Sequence, residues 1–110
     1  METEIYNDAG QLHCTTGPAI IYEDGTKEWY CEGELHRDDG PAIECADGGK
    51  EWVWYGELHR DNGPAVIYYD GKVEWHVMDE QVHSAAEYMR LTNTTEEEMA
   101  VLILKYGAVK

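Results

Sequence analysis

Histidines recur in this sequence at a spacing that could place metal ligands in a row. The dipeptide Leu-His occurs three times at intervals of 23 residues, and a fourth histidine follows: Leu12-His13, Leu35-His36, Leu58-His59 and His83. Imidazoles with nearby carboxylates, here Asp38 and Asp61, would suit a divalent cation. Copies one repeat apart would nevertheless lie about 10 Å apart in a sheet, whereas ligands bind a metal at about 2 Å. We therefore expect each histidine to satisfy the turn of its unit, and we expect no metal site.

Cysteines and catalytic motifs are the other candidates for chemistry. The three cysteines, an odd number without a Cys-x-x-Cys pair, are Cys14, Cys31 and Cys45. This pattern is not that of a disulfide framework or a zinc site, so we expect reduced packing residues. The sequence has no glycine-rich phosphate loop, no nucleophile elbow and no His-Glu-x-x-His motif. We therefore expect neither an enzyme nor a cofactor.

The composition limits the partners. Asp and Glu number 23 against 8 Lys and Arg, which gives a formal net charge of −15. Because phosphate groups repel such a chain, direct binding to nucleic acid or to an anionic membrane is not expected. Apolar residues make up 43% of the chain, enough for a packed structure. The acidic start Met1-Glu2-Thr3-Glu4 is unlike a signal peptide, and the longest apolar run, Met99 to Leu104, is too short to cross a bilayer, so a cytoplasmic protein is expected.

The histidines belong to a longer repeat. Three further motifs recur with the same period of 23 residues: Gly17-Pro18-Ala19, Gly40-Pro41-Ala42 and Gly63-Pro64-Ala65; Asp24-Gly25, Asp47-Gly48 and Asp70-Gly71; Glu28-Trp29, Glu51-Trp52 and Glu74-Trp75. Several motifs in one register define a structural unit. Tyr6 and Gly10 match the Trp and Gly positions of a unit, so the array begins with half a unit. After Trp75 the register fails, because Asp79 replaces the glycine and Val82-His83 comes one residue late.

Each unit is predicted to contain a hairpin at its Asp-Gly pair. With Asp24-Gly25 as a two-residue loop, Tyr22 pairs with Lys27 and Ile20 with Trp29. Because paired residues share a face, one face is predicted to be apolar in all units. It contains Ile20, Tyr22, Trp29 and Cys31; Ile43, Cys45, Trp52 and Trp54; Val66, Tyr68, Trp75 and Val77. The opposite face, predicted to be largely open to water, contains Ala19, Ile21, Glu28 and Tyr30; Ala42, Glu44, Glu51 and Val53; Ala65, Ile67, Glu74 and His76.

A second turn of each unit is expected near Gly10, Gly33 and Gly56. The prolines of the Gly-Pro-Ala motifs cannot donate to a ladder, so they belong at a bulge or at the first residue of a strand. Together these features predict a mainly β fold. It is a single-layer antiparallel β-meander of three and a half units, from about Tyr6 to Val77.

The period changes after His83. Ser84 and Glu87 have capping-box spacing, and so do Thr94 and Glu97, which predicts two short helices. In the second helix, four apolar residues at positions i, i+3, i+4 and i+7 predict a buried stripe: Met99, Leu102, Ile103 and Tyr106. A single sheet cannot bury its own apolar face, so we expect the helices to cover the tryptophan face and to close the array. We expect one structural domain, with a β-repeat sheet over residues 1–81 and a helical cap over residues 82–110.

The repeat length and the Asp-Gly, Trp, Gly and Leu landmarks resemble MORN-type repeats. The run from Leu35 to Ala42, Leu-His-Arg-Asp-Asp-Gly-Pro-Ala, is similar to a MORN-like variant found in small proteins of tailed phages and other large DNA viruses. The terminal helices are also similar to those of that group. The resemblance implies single-layer sheets of successive hairpins that serve as protein-binding and dimerisation modules. It supplies no catalytic positions, and the lipid binding proposed for some members does not suit a chain of charge −15.

The expected function is protein binding. The chain would be a small acidic interaction module, a phage or viral accessory protein that binds and inhibits a host defence or nucleic-acid-processing protein. The candidate contact residues combine the glutamate row with aromatic residues that have polar tips: Glu28, Tyr30, Glu51, Trp54, Tyr55, Glu74 and His76. A homodimer is also expected, because a one-layer sheet that begins with half a unit has an exposed edge.

Two other functions fit the sequence. As a nucleic-acid mimic, the chain would place the carboxylates of Glu28, Glu51 and Glu74 where phosphates stand and would block a DNA- or RNA-binding enzyme, although the spacing of such a row matches that of phosphates imperfectly. As a sponge, the chain would sequester a small nucleotide signal between protomers. A nucleotide needs positive groups, and the chain has three arginines: Arg37, Arg60 and Arg90.

Overall fold

The chain forms a long antiparallel sheet that two helices close at its C-terminal end. A computed structural model describes residues 3–13 and 16–110. The strands are β1 (Thr3–Glu4), β2 (Ile20–Ile21), β3 (Lys27–Glu28), β4 (Tyr30–Cys31), β5 (Glu34–Leu35), β6 (Ile43–Glu44), β7 (Lys50–Glu51), β8 (Val53–Trp54), β9 (Glu57–Leu58), β10 (Val66–Ile67), β11 (Val73–Val77) and β12 (Glu80–Val82). The helices are α1 (Ala85–Thr92) and α2 (Glu96–Tyr106). The predicted mainly β fold with two C-terminal helices is confirmed.

The main sheet has eight strands in the order β1-β2-β3-β6-β7-β10-β11-β12. The pairs β4-β5 and β8-β9 form separate two-stranded hairpins, which we call side hairpins. Each unit therefore contributes one hairpin to the main sheet and then bends at its tryptophan into a side hairpin. In the last unit, β11 continues without a break and pairs with both β10 and β12. The half unit at the start is present as a bridge between Tyr6 and Leu12.

The turn at each Asp-Gly pair is a three-residue loop, not the predicted two-residue loop. The Tyr22 N–H donates to the Thr26 C=O at 2.9 Å, and the Gly25 N–H donates to the Tyr22 C=O at 3.0 Å. The loop therefore comprises residues 23–25. Gly25 ends it with a φ of 97°, a conformation that favours glycine. The same two hydrogen bonds recur over residues 45–49 and 68–72.

This longer loop changes the strand register by one residue. Ile20 pairs with Glu28 and Ile21 pairs with Lys27, whereas the sequence predicted Trp29 as the partner of Ile20. A one-residue slip moves the side chains of one strand to the other face. The predicted division into an isoleucine and tryptophan face and a glutamate face is therefore wrong. Apolar and acidic residues alternate along one row of one face: Ile20, Glu28, Ile43, Glu51, Val66 and Glu74.

The tight two-residue turn belongs to the side hairpins. Their loops, and the corresponding loop between β11 and β12, are Glu32-Gly33, Tyr55-Gly56 and Met78-Asp79. Both residues of each loop have positive φ, for example 48° at Glu32 and 86° at Gly33, as a type I′ turn requires. The predicted second turn near Gly33 and Gly56 is confirmed. Asp79 adopts the glycine conformation in the last unit, with a φ of 72°.

The alanines of the Gly-Pro-Ala motifs are enclosed. Ala19, Ala42 and Ala65 are 0% exposed, although the sequence placed them on a face open to water. The Ala42 N–H donates to the Glu51 C=O, and the Ala42 C=O accepts from the Trp29 N–H, both at 2.8 Å. The motif thus joins two units through its backbone. Each proline lies two residues before a strand of the main sheet, close to the predicted strand start.

Both helices begin at a capping residue. The Ser84 hydroxyl accepts the Glu87 N–H at 3.2 Å before α1, as the sequence predicted. Thr95 caps α2 and forms a complete capping box with Glu98, one residue later than the predicted pair of Thr94 and Glu97. No helix in the described part of the chain is long and apolar enough to cross a membrane.

The helices cover the last tryptophan only. Trp75 is buried in a cluster with Val77, Val82, Tyr88 and Met99. Leu102, Ile103 and Tyr106 pack against this cluster, which confirms the predicted stripe of α2. Trp29 and Trp52, which hold the same repeat position, remain half-buried at the surface of the sheet, and Trp54 is exposed. The expectation that the helices cover the whole tryptophan row was therefore wrong, because they contact only the end of the array.

Candidate protein-interaction site

The repeated histidines connect consecutive units. Nδ1 of His36 accepts the N–H of Tyr55, the first residue of the next side-hairpin turn, at 3.2 Å. Nε2 of His36 lies 2.7 Å from Oδ1 of Asp38, to which it donates in this arrangement. Nδ1 of His13 and of His59 accepts from the corresponding turns at 3.0 Å. Each histidine thus serves the turn of the following unit, not of its own, and both ring nitrogens of His36 are used.

The described residues contain no cluster of side chains suited to bind a metal ion, and their cysteines are free. No group of three His, Cys, Asp or Glu side chains there is arranged to hold a metal ion. Cys31 and Cys45 are free and half-buried, and burial, followed by the charge of Asp47, raises the pKa of the Cys45 thiol. Cys14 lies outside the described residues. Its predicted packing role stays a prediction.

Trp54 and Tyr55 form an exposed aromatic surface. Trp54 is 45% exposed and Tyr55 is 48% exposed, and their rings meet edge to face at 5.5 Å. Beneath them lies His36, which is 7% exposed, stacks on Tyr55 at 3.9 Å and meets the Trp54 ring at 4.4 Å. The type I′ turn and the His36 hydrogen bond fix the backbone of Tyr55. The two rings are therefore presented to solvent in a fixed orientation.

Two grooves flank this surface and are related by the repeat. The first groove, of about 600 Å³, lies between the first two units, with Gly17, Pro18, Trp29 and Arg37 among its lining residues. The second groove, of about 590 Å³, has the residues 23 positions later in its lining: Gly40, Pro41, Trp52 and Arg60. Trp54 and Asp61 also line the second groove. These volumes fall within the range of ligand-binding clefts.

An arginine covers the tryptophan in each groove. The guanidinium carbon of Arg37 lies 4.0 Å from the centre of a Trp29 ring, and that of Arg60 lies 3.8 Å from a Trp52 ring. Such cation–π contacts contribute about 0.5–1 kcal/mol each at partly exposed sites. Arg37 also pairs with Asp39 at 2.9 Å. The repeated arginines therefore have structural contacts, which is why the tryptophan row can stay without a covering layer.

The glutamates of the predicted row differ in their partners. Glu28 accepts hydrogen bonds from the Tyr22 and Tyr30 hydroxyls at 3.1 and 3.0 Å. Burial, followed by the hydrogen bond to Glu28, raises the pKa of Tyr30 to about 12. Glu51, one unit later, has no hydrogen bond to a described side chain, because Cys45 and Val53 replace the two tyrosines. The three glutamates do lie in one row, as predicted, but all are half-buried.

Glu74 and His76 form a pair inside the last unit. Nε2 of His76 lies 3.0 Å from Oε1 of Glu74, and the Tyr68 hydroxyl donates to the other carboxylate oxygen at 2.7 Å. These hydrogen bonds, that of His76 first, lower the pKa of Glu74. His76 is 7% exposed, so its side chain is not available as a contact residue. The structure thus leaves Trp54 and Tyr55 as the most accessible of the candidate contact residues.

Four residues of the site were not among the contact residues predicted from the sequence. Asp38 and Asp61 line the second groove, and their side chains are 76% and 74% exposed; we call them the rim carboxylates. Arg37 and Arg60 line the same groove, and the repeated Leu-His-Arg-Asp run marked them. The exposed apolar side chain of Leu104 on α2 was placed on no surface by the sequence.

No family model matches the chain, and comparisons with curated protein sequences and with solved structures give no match either. The resemblance to MORN-type repeats therefore stays a prediction.

Proposed function

We propose that this chain is a small acidic protein-interaction module that contacts its partner through the Trp54 and Tyr55 surface and the adjoining grooves. The observation that carries the proposal is the exposure of two large aromatic side chains on a fixed turn. Tryptophan and tyrosine supply much of the binding energy in protein interfaces, because they bury a large area at small conformational cost. One side of each ring packs on His36, and the other side, about half of each residue, is left to solvent.

Charge supports a basic surface on the partner. The net charge is −15, and Asp38 and Asp61 stand beside the aromatic surface with their carboxylates in solvent. Opposite charges accelerate association and disfavour the wrong partners, and added salt weakens this contribution. Binding should therefore slow as the salt concentration rises, and the aromatic contact should determine how long the complex lasts.

In biological terms, we propose that the partner is a host defence or nucleic-acid-processing protein and that binding inhibits it. This part of the proposal depends on the resemblance to the MORN-like variant of phages and large DNA viruses. Nucleic-acid-binding proteins present basic surfaces, which suits the charge of this chain. Self-association, expected from the exposed edge of the half unit that begins at Tyr6, also stays a prediction. Among the described strands, β1 is the N-terminal edge of the main sheet and pairs with β2.

The alternatives receive less support from the site. A nucleic-acid mimic needs free carboxylates in a row, whereas Glu28 and Glu74 accept hydrogen bonds from side chains of their own sheet. A nucleotide sponge needs free cations, whereas Arg37 and Arg60 stack on tryptophans. Arg90 is exposed on α1, and the cation–π contacts found in the described residues do not include it.

Affinity purification from a bacterial lysate with matched variants tests the proposal. The double variant Trp54→Thr/Tyr55→Asn removes both rings. Threonine suits a strand, as tryptophan does, and asparagine tolerates the positive φ of the turn. The matched control is Tyr69→Ala, because Tyr69 is 73% exposed but lies on a different loop. We expect the double variant to recover at least tenfold less of the partner than the wild type, and the control to recover the same amount.

Thermal unfolding of all three proteins separates binding from folding, since a folded double variant must retain a cooperative transition. The proposal is wrong if the wild type recovers no protein above background. It is equally wrong if the folded double variant recovers the partner as well as the wild type does.

A further inference from the structure

The C-terminal helices occupy the third member of the groove series. Adding 23 to the numbers of the second-groove residues gives Gly63, Pro64 and Trp75, and all three are buried. Their counterparts in the second groove, Gly40, Pro41 and Trp52, are half-buried. The repeat therefore builds three equivalent grooves. The chain itself fills the last one, which we call the capped groove, and leaves two open.

Tyrosine hydroxyls make the polar contacts in the capped groove. The Tyr88 hydroxyl donates to the Arg60 C=O at 2.5 Å and accepts the Gly63 N–H at 3.1 Å. The Tyr88 ring meets Trp75 edge to face, with the ring centres 4.8 Å apart. Nη2 of Arg60 donates to the Tyr106 hydroxyl at 3.1 Å. Burial raises the pKa of Tyr88 to about 12.

The second groove offers the same backbone and guanidinium groups without an occupant. Arg37 and Gly40 stand where Arg60 and Gly63 stand in the capped groove. Among the described residues, the Gly40 N–H, the Arg37 C=O and Nη2 of Arg37 have no hydrogen-bond partner. These are the three groups that Tyr88 and Tyr106 satisfy one unit later. An incoming tyrosine could therefore make the same hydrogen bonds.

One difference between the grooves affects the occupant. Arg60 lies over Trp52 in the second groove, whereas in the sequence Ser84 follows Val82-His83 at the place that the arginine takes in the two preceding units, and the Tyr88 ring meets Trp75 directly. An aromatic ring entering the second groove would therefore meet a guanidinium instead of a bare tryptophan. Arginine stacks well on aromatic rings, and the groove volume of about 590 Å³ leaves room beside the arginine.

The rim selects the charge of the occupant. The carboxylates of Asp38 and Asp61 line the second groove and extend into solvent, and the whole chain carries a charge of −15. An acidic segment would be repelled there, whereas lysine or arginine residues flanking the tyrosine would be attracted.

We propose that the second groove binds a helical segment of a partner protein that presents a tyrosine between basic residues. The tyrosine occupies the position that Tyr88 holds in the capped groove, with its hydroxyl between the Gly40 N–H and the Arg37 C=O. The inference rests on the proposed interaction function and names the chemistry that this function would recognise.

A pair of synthetic peptides tests this inference on the full chain. The probe is a blocked helical peptide of alanine and lysine with one central tyrosine, and its match has phenylalanine at that position. Amide spectra of the labelled protein report where each peptide binds. We expect the tyrosine peptide to shift the Gly40 amide signal and the Trp52 and Trp54 indole signals, and to bind at least tenfold more tightly than the phenylalanine peptide.

Rim variants show whether the charge acts at the groove. Asp38→Asn/Asp61→Asn removes two charges and keeps an oxygen that can accept from His36 and His59. The control pair Asp8→Asn/Glu80→Gln removes two exposed charges that do not line the second groove. We expect the asparagine pair to weaken binding of the tyrosine peptide five- to tenfold and the control pair to weaken it less than twofold.

Three outcomes would overturn the inference. In the first, the two peptides bind equally well. In the second, the peptide-induced shifts do not include the Gly40 amide signal. In the third, the groove signals move with protein concentration alone, which would mean that a second copy of this chain occupies the groove. If a partner that needs Trp54 and Tyr55 is recovered while the peptides bind equally, the interaction module stands and only the groove assignment fails. If the tyrosine peptide binds selectively but no partner is recovered, the groove assignment stands and the proposed interaction function fails.

Discussion

At the scale of residues, one repeat position has different chemistry in successive units. The glutamate before each tryptophan holds the same place in the sheet, as Glu51 and Glu74 illustrate. Glu74 accepts hydrogen bonds from His76 and Tyr68, whereas Glu51 has none from a described side chain. The difference arises because Val53 and Cys45 replace the two donors. The repeat therefore contains a matched pair for measuring what these hydrogen bonds contribute.

The lowered pKa of Glu74 predicts how stability depends on pH. A folded-state pKa below the unfolded value means that the hydrogen bonds stabilise the charged carboxylate. That contribution is complete above the unfolded pKa, near 4.3 for glutamate, and is lost as the pH falls through the lower folded value. We expect Glu74→Gln to reduce the loss of unfolding free energy between pH 6 and about pH 3, measured by urea denaturation. Glu51→Gln, the control, should leave this loss of unfolding free energy unchanged. An equal effect of both variants would show that the hydrogen bonds to Glu74 are not its source.

At the scale of elements, the sequence predicted the units but not their register. The motif spacing and the helix signals at Ser84 and in α2 were sufficient to predict the meander and its cap. Asp24-Gly25 was compatible with both a two- and a three-residue loop, and the choice between them reverses which residues share a face. The tight turns were less visible, because Tyr55 and Met78 adopt positive φ without being glycine or asparagine. The neighbouring unit holds both turns, since the N–H groups of Tyr55 and Met78 donate to His36 and His59.

The candidate site was predictable to the same extent. The exposed rings of Trp54 and Tyr55 follow from residue type, because their polar tips suit a partly wet surface. The burial of His76 could not be predicted, since it depends on the corrected register and on the pairing of β11 with β12. The filling of the capped groove could not be predicted either, because it depends on how α1 packs on the sheet, and no repeat in the sequence specifies that packing.

Turn conformation also yields a stabilising change. Met78 has a φ of 50° at the first loop position of its type I′ turn, and its side chain is 61% exposed. Asparagine tolerates this region better than methionine, and its side chain would lose little packing. We expect Met78→Asn to stabilise the fold by about 0.5 kcal/mol, which raises the midpoint of thermal unfolding by about 2–4 °C. Met78→Ala is the control, because it removes the same side chain without the conformational preference. A gain of equal size in both variants would assign the effect to lost exposed apolar surface instead.

At the scale of the whole molecule, the fold is elongated and its packing is uneven. The described residues measure 44 × 28 × 20 Å, with a radius of gyration of 15.0 Å, compared with about 13 Å for a compact domain of about 100 residues. The buried apolar cluster surrounds Trp75 at the C-terminal end. Toward the N-terminus, the buried apolar residues are Ala19, which is small, and Ile20, which does not belong to the Trp75 cluster, and β1 is exposed. In such an array each unit is stabilised by its neighbours, so the ends need not open together.

This asymmetry predicts a gradient of local stability along the chain. Backbone amides exchange with solvent fastest where opening exposes the least buried apolar surface. We expect amides of β11, β12 and α1 to exchange at least tenfold more slowly than those of β1 and β2, measured by hydrogen exchange and mass spectrometry. Met99 is 2% exposed in the Trp75 cluster, and truncation of such a residue costs about 2–5 kcal/mol. Met99→Ala should therefore accelerate exchange near the cap and leave β1 and β2 unchanged, because these strands already open at a lower free energy. Uniform protection in the wild type, or an equal acceleration in every strand of the variant, would show instead that the array unfolds as a single cooperative unit.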